Sequence, residues 1–187
     1  MSALEEHASS SLEDEIRLLR EEVDQLKSRE EIRQQLSRYG RGQEWLDASL
    51  MEEVFYPDAY VDFGFFEGTF EEYLPMLMGI EAEGETTFHM LAAPQIELDG
   101  NTAYVEVYGI AGGRNAGNTN TFGGRYITRF ERREDKWRIA RCEYVLDWHM
   151  KGEEDGPVGG PHPELKMIAP RSPEHPLFRR MGADVTG

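Results

Sequence analysis

The chain has 187 residues, 39% of them hydrophobic and 11% aromatic, enough for one domain with a substantial core. With 36 acidic against 20 basic residues, its formal net charge of −16 disfavours nucleic acid or an anionic membrane as a partner. Its one cysteine, Cys142, excludes an internal disulfide.

Residues 1–11 are polar and expected to fray. Leu12, Ile16, Leu19, Val23 and Leu26 then recur at alternating spacings of four and three, an a/d stripe of about two heptads. Two heptads are too short for a strong independent coiled coil, so the stripe is expected to pack on its own domain or on a neighbouring subunit ahead of forming an autonomous zipper. Ile32, Leu36 and Tyr39 continue a helical face into "RYGRGQEWLD", where Gly40 and Gly42 weaken the helix and predict a bend. A second helix is expected over 46–55, stopped by Pro57-Asp58, and "AYVDFGFF" reads as a strand. "GTFEEYLPMLMGIE" reads as a third helix with Thr69 as a possible cap and Pro75 as an internal irregularity.

Strands follow. "TTFHMLAAPQIELDG" ends at Asp99-Gly100, a hairpin signal, with "NTAYVEVYGIAGG" as its partner. "GRNAGNTN" reads as a polar loop, and the stretches around Glu134-Asp135 form a second hairpin. Helices followed by antiparallel strands predict an α+β fold, a curved sheet wrapped on helices with a cavity between them. Six of the nine prolines fall in 151–187, which reads as an irregular tail anchored by Leu165, Met167, Ile168, Leu177 and Phe178 on the domain or a neighbouring subunit. The expected organisation is a charged helical extension (1–27), the α+β domain (28–150) and this tail. The N-terminus lacks the basic and apolar regions of a signal peptide, and no stretch approaches the roughly 20 apolar residues of a membrane span. The expectation is a cytoplasmic protein.

No glycine-rich phosphate loop, HExxH pattern or cysteine cluster is present, so neither a cofactor nor a metal is expected. His7, His162 and His175 read as solvated, and His149 as the end of the last strand. His89 lies inside an apolar strand, where a histidine can be structural or catalytic. If the segment 39–44 faces that strand, Glu44 can accept a hydrogen bond from one imidazole nitrogen and leave the other as a base. Tyr39 can then donate a proton or polarise a carbonyl.

Four stretches, "RYGRGQEWLD", "FYPDAYVDF", "FHMLAAPQIELDGNTAYVEVY" and "FGGRYITRFERREDKWRIARCEYVLDW", together resemble the SnoaL-like branch of the nuclear transport factor 2-like superfamily. The resemblance covers about residues 28–148. It implies a cone-shaped curved mixed sheet closed by N-terminal helices around a hydrophobic pocket. It also implies the chemistry of cofactor-independent lyases such as the bile acid and scytalone dehydratases. By position, the family's tyrosine falls on Tyr39, its acid on Glu44 and its base on His89. The family acid is usually Asp, so Glu44 is one methylene longer. The arginine that dehydrochlorinases place on their last strand falls on Cys142, while its neighbour Arg141 faces away by strand alternation. Hydrogen halide elimination is therefore disfavoured.

Strand alternation places Phe122, Tyr126, Cys142 and Tyr144 in the pocket lining, joined by Phe63, Phe65, Tyr73 and Met76 from earlier elements. So many aromatic residues suit a flat hydrophobic ligand, although each can equally be core. The leading expectation is a lyase releasing water, or formaldehyde from a lignin-type aromatic dimer. An isomerase or polyketide cyclase using the same base, and a non-catalytic small subunit of the ring-hydroxylating dioxygenase type, stay open. A homo-oligomer is expected, a trimer ahead of a dimer.

Overall fold

The structure is a computed structural model that describes residues 3–115 and 117–153, with side chains from residue 12 to residue 152. The expectations for the proline-rich tail beyond residue 153, with His162 and His175, and for the side chain of His7 lie outside the described residues.

The first helix, α1 (Ala3–Glu44), runs without interruption through the expected bend. Its glycines serve packing. A Cβ on Gly40 would stand 3.3 Å from the His89 carbonyl oxygen, and one on Gly42 would stand 2.7 Å from Met51 Sδ. Ile32, Leu36 and Tyr39 bury one face of the C-terminal half, with Ser28, Gln35 and Gln43 beside them. Gln35 is satisfied there by donating to the Trp137 carbonyl at 2.8 Å. The N-terminal stripe stays uncovered: Leu12, Ile16, Leu19, Val23 and Leu26 range from 40% to 66% exposed. Leu46 in the left-handed region turns the chain, and Asp47 caps α2 (Ala48–Val54) by accepting from the Leu50 N–H at 3.0 Å.

The first strand, β1 (Phe55–Asp62), starts directly after α2, earlier than the sequence suggested. Pro57 lies within it, where the pairing register shifts between Phe55 and Tyr60 and a missing N–H is tolerated. β2 (Glu67–Thr69) pairs with it, and Thr69 with Glu72 forms a capping box on α3 (Phe70–Glu83). The expected single strand over 86–100 is two, β3 (Thr86–Leu91) and β4 (Gln95–Asp99), split at the segment ending in Pro94. Both pair with β5 (Thr102–Asn115), one after the other. The residues read as a polar loop instead extend β5 and β6 (Asn118–Arg133) nearly to their turn. β7 (Lys136–Glu153) follows the expected tight turn, with Glu134 and Asp135 both at positive φ.

The seven-stranded sheet has the order β2-β1-β7-β6-β5-β3, with β4 beside β5. β1 is parallel to β7 and the other pairs are antiparallel, giving the curved, unclosed mixed sheet of an α+β cone packed on N-terminal helices. Trp137, Phe55, Phe70 and Phe130 are the largest fully buried side chains between the layers. Gly124 is fixed by its surroundings: a Cβ there would meet the Val145 carbonyl oxygen at 2.3 Å and the Tyr144 hydroxyl at 2.6 Å. Gly124→Ala is therefore expected to destabilise the fold by about 1–3 kcal/mol in urea titration, because backbone has to move.

Candidate functional site

The edge strand β3 carries the candidate base. Along it Thr87, His89 and Leu91 turn inward while Phe88 and Met90 stay about half exposed. The other edge of β3 faces α1, so its outward N–H groups need partners from elsewhere. Glu44 supplies one: its Oε1 accepts the backbone N–H of His89 at 2.5 Å. Burial pushes the Glu44 carboxyl up from its ordinary range, and the same N–H partly offsets this. The expected bond from Glu44 to the imidazole is therefore replaced by one to the backbone. The longer glutamate, leaving a continuous helix that lies against β3 at Gly40, reaches the main chain. Glu44→Ala is expected to leave this N–H unsatisfied and cost about 1–3 kcal/mol in thermal or urea unfolding, with Glu44→Gln retaining most of the stability.

The imidazole has a different carboxylate. His89 Nε2 lies 3.5 Å from Glu81 Oε1, and the two side chains are only 8% and 10% exposed. Glu81 sits in the last turn of α3, on the same face as buried Phe70, Tyr73, Leu74 and Leu77. Its position, four residues after Leu77 on an apolar stripe, is the sequence signal that marks it out: an acid at helical core spacing. An adjacent carboxylate favours a charged ring and burial opposes it. Burial dominates, lowering the His89 pKa from 6.5 to about 4. The ring is thus neutral at pH 7. With the Nε2 proton directed at Glu81, Nδ1 keeps its lone pair, and Nδ1 is buried without a hydrogen-bond partner. Thr87 Oγ1 and Tyr144 Oη are likewise buried and unpartnered.

Tyr39 belongs to the interior. It is 2% exposed, with its ring edge-on to Tyr126 at 5.4 Å and tilted on Phe55 at 5.7 Å. It hydrogen-bonds the Tyr126 hydroxyl, and burial holds its own hydroxyl well above the ordinary pKa. The hydroxyl expected to donate a proton or polarise a carbonyl is thus held by Tyr126 inside the domain. Cys142 is buried and its thiol pushed up by burial, so it is an apolar filler. Arg141 points the other way, as alternation predicted, over the Tyr60 ring at 4.4 Å.

The other expected lining residues divide into two sets. Phe63 stacks on Tyr73 at 4.9 Å, and Tyr126 lies 4.8 Å from Tyr144, so these four converge inside the sheet. Phe65 is 66% exposed, and Met76 lies on the exposed side of α3. Phe122 shares the inner row of His89 through Ala111, but it is 38% exposed and stacks on His149 at 4.6 Å. His149 in turn contacts Asn120 Oδ1 at 3.1 Å. A groove of about 830 Å³ runs between α1 and β3, past Arg41, Glu44, Trp45, Phe88, His89 and Met90. No group of three metal-ligating side chains occurs among the described residues, and no described helix is long and apolar enough to cross a membrane.

Residues 24–143 match the SnoaL-like domain family, and the chain belongs to it. No curated protein matches it. Among solved structures it is similar to a type 2 hexachlorocyclohexane dehydrochlorinase, at 16% identity over 74% of this chain and 99% of that one, with a TM-score of 0.67. A proposed scytalone dehydratase from Novosphingobium aromaticivorans is 18% identical over 67% of this chain and 88% of that one, with a TM-score of 0.62. A nuclear transport factor 2-like superfamily protein from Salmonella enterica serovar Typhimurium is 20% identical over 73% and 98%, with a TM-score of 0.60. At these identities the likeness is one of fold.

Proposed function

We propose that this protein is a cofactor-independent lyase acting on a small, hydrophobic, hydroxylated aromatic or polycyclic compound. His89 Nδ1 is the base and Glu81 the group that orients it. For loss of water, Nδ1 takes a proton from carbon, the C–H electrons form the alkene, the C–O bond to the hydroxyl breaks, and the departing hydroxide takes the proton from Nδ1 to leave as water. For loss of formaldehyde, Nδ1 takes the proton of a hydroxymethyl group. The O–H electrons form the carbonyl, the electrons of the cleaved C–C bond form the alkene, and the C–O bond to a hydroxyl on the adjacent carbon breaks, that hydroxide taking the proton back from Nδ1 to leave as water. The observation that carries this reading is a buried neutral imidazole with one nitrogen on a buried carboxylate and the other without a partner. The aromatic residues Phe63, Tyr73 and Tyr144 support a flat apolar substrate. The Tyr144 hydroxyl is the candidate to meet its oxygen.

A non-catalytic subunit is the second reading, favoured by the closed interior around Tyr39 and by the structural role of Glu44. Mass spectrometry of hydroxylated aromatic dimers, sterols and polyketide-like phenols, with chelator present, separates the two. A product lighter by water, or by formaldehyde and water together, absent with His89→Ala, supports the lyase. A product of unchanged mass indicates an isomerase or cyclase, and no turnover across the panel favours the subunit.

A further inference from the structure

The projecting half of α1 has two faces. At about 100° per residue, the exposed stripe Leu12, Ile16, Leu19, Val23 and Leu26 lies roughly half a turn from the row of Ser28, Ile32, Gln35 and Tyr39 that the domain buries. The domain also holds this half from the second side, through the Arg132 guanidinium on Asp24 at 3.0 Å. The stripe therefore points away from the chain's own core, and α1 cannot turn both faces inward.

The stripe's composition specifies its occupant. Its a positions are the β-branched Ile16 and Val23, and its d positions are Leu12, Leu19 and Leu26. This is the combination that favours two parallel strands. The flanking e positions are Glu13, Arg20 and Lys27, and the g positions include Glu15 and Glu22. In a parallel pair each g residue meets the e residue five positions later on the partner. Glu15 then faces Arg20, and Glu22 faces Lys27, twice over by symmetry. An antiparallel pair centred on Leu19 would instead oppose Glu15 with Glu22. The ion pairs α1 does make along this half, Asp14 with Arg17 and Arg17 with Glu21, use positions on the outer side of such a coil. Glu15, Arg20, Glu22 and Lys27 form no ion pair among the described residues.

We propose that residues 12–27 form a parallel two-stranded coiled coil with a second copy of this chain, so that the protein assembles through α1. The domain lies on the b, c and f side of the helix. Because the coil leaves the His89 site untouched, the inference stands independently of the lyase reading.

Sedimentation of the full chain tests it. The wild type is expected at twice the mass of a Leu19→Glu/Val23→Glu variant, with the variant's far-ultraviolet dichroism retaining the folded domain. Two charge-swapped chains, one Glu15→Lys/Glu22→Lys and the other Arg20→Glu/Lys27→Glu, are each expected to dissociate alone and to associate when mixed. Single Leu12→Cys and Leu26→Cys variants are each expected to form a disulfide-linked dimer on oxidation, since parallel register places like residues together. A mass unchanged by the double glutamate variant overturns the proposal. Cross-linking only when the Leu12→Cys and Leu26→Cys chains are mixed overturns the parallel register.

Discussion

Glu81→Gln is expected to lower kcat/KM by about 10²–10⁴ on the compound the protein turns over, whereas Glu44→Gln is expected to change it by less than about tenfold. The two acids approach His89 differently. Glu81 Oε1 lies beside imidazole Nε2, so the carboxylate fixes the tautomer and stabilises the ring once it has taken a proton. Glutamine can present its NH₂ to that nitrogen, which reverses the tautomer and removes the lone pair from Nδ1. Glu44 accepts only the backbone N–H, a task an amide oxygen performs nearly as well. Nitrogen-15 shifts of the His89 ring give a readout independent of substrate: the Nε2–H tautomer should be lost with Glu81→Gln and kept with Glu44→Gln. The opposite ranking in both measurements would restore Glu44 as the orienting acid.

The second large effect concerns stability. His89 titrates at about 4 in the folded chain and near 6.5 when exposed. A depressed folded value means that the unfolded chain binds the proton first. The contribution is therefore fully present above pH 6.5 and is lost as pH falls towards 4. The shift corresponds to about 3 kcal/mol, most of it gone by about pH 4.5. Glu44, whose carboxyl burial raises, works in the opposite sense near the lower end of this window. Comparison with His89→Gln isolates the histidine. Urea titrations at pH 7.5 and 4.5 should show a large loss in the wild type and a much smaller one in the variant. Equal losses would mean that the ring is solvated in the native protein.

The sequence announced the helix-then-strand order, the Thr69 cap and the turns at Asp99-Gly100 and Glu134-Asp135, because each depends on residues within one turn of chain. The inward residues Tyr126, Cys142 and Tyr144 followed from the period of two in long strands. What was not legible depended on contacts distant in sequence. Gly40 reads locally as a helix breaker, and only the passage of β3 beside it shows a close approach. Glu44 and Glu81 are both acids on helices within reach of His89. Which of them meets the ring and which the main chain is decided by how α1 and α3 pack against one edge strand.

The parallel union of β1 with β7 has a consequence for how the chain reaches this state. Val61 pairs with Cys142, so the strand that follows the first two helices finds its inner neighbour only when β7 exists. During synthesis β1 and β2 can form a hairpin, but the buried face of β1 has no sheet to join until β7 leaves the ribosome. Contacts of such long sequence separation slow folding and leave apolar surface uncovered meanwhile. Folding of the nascent domain is therefore expected to wait for β7. Until then the β5–β6–β7 meander, whose pairings are between consecutive strands, is the natural nucleus.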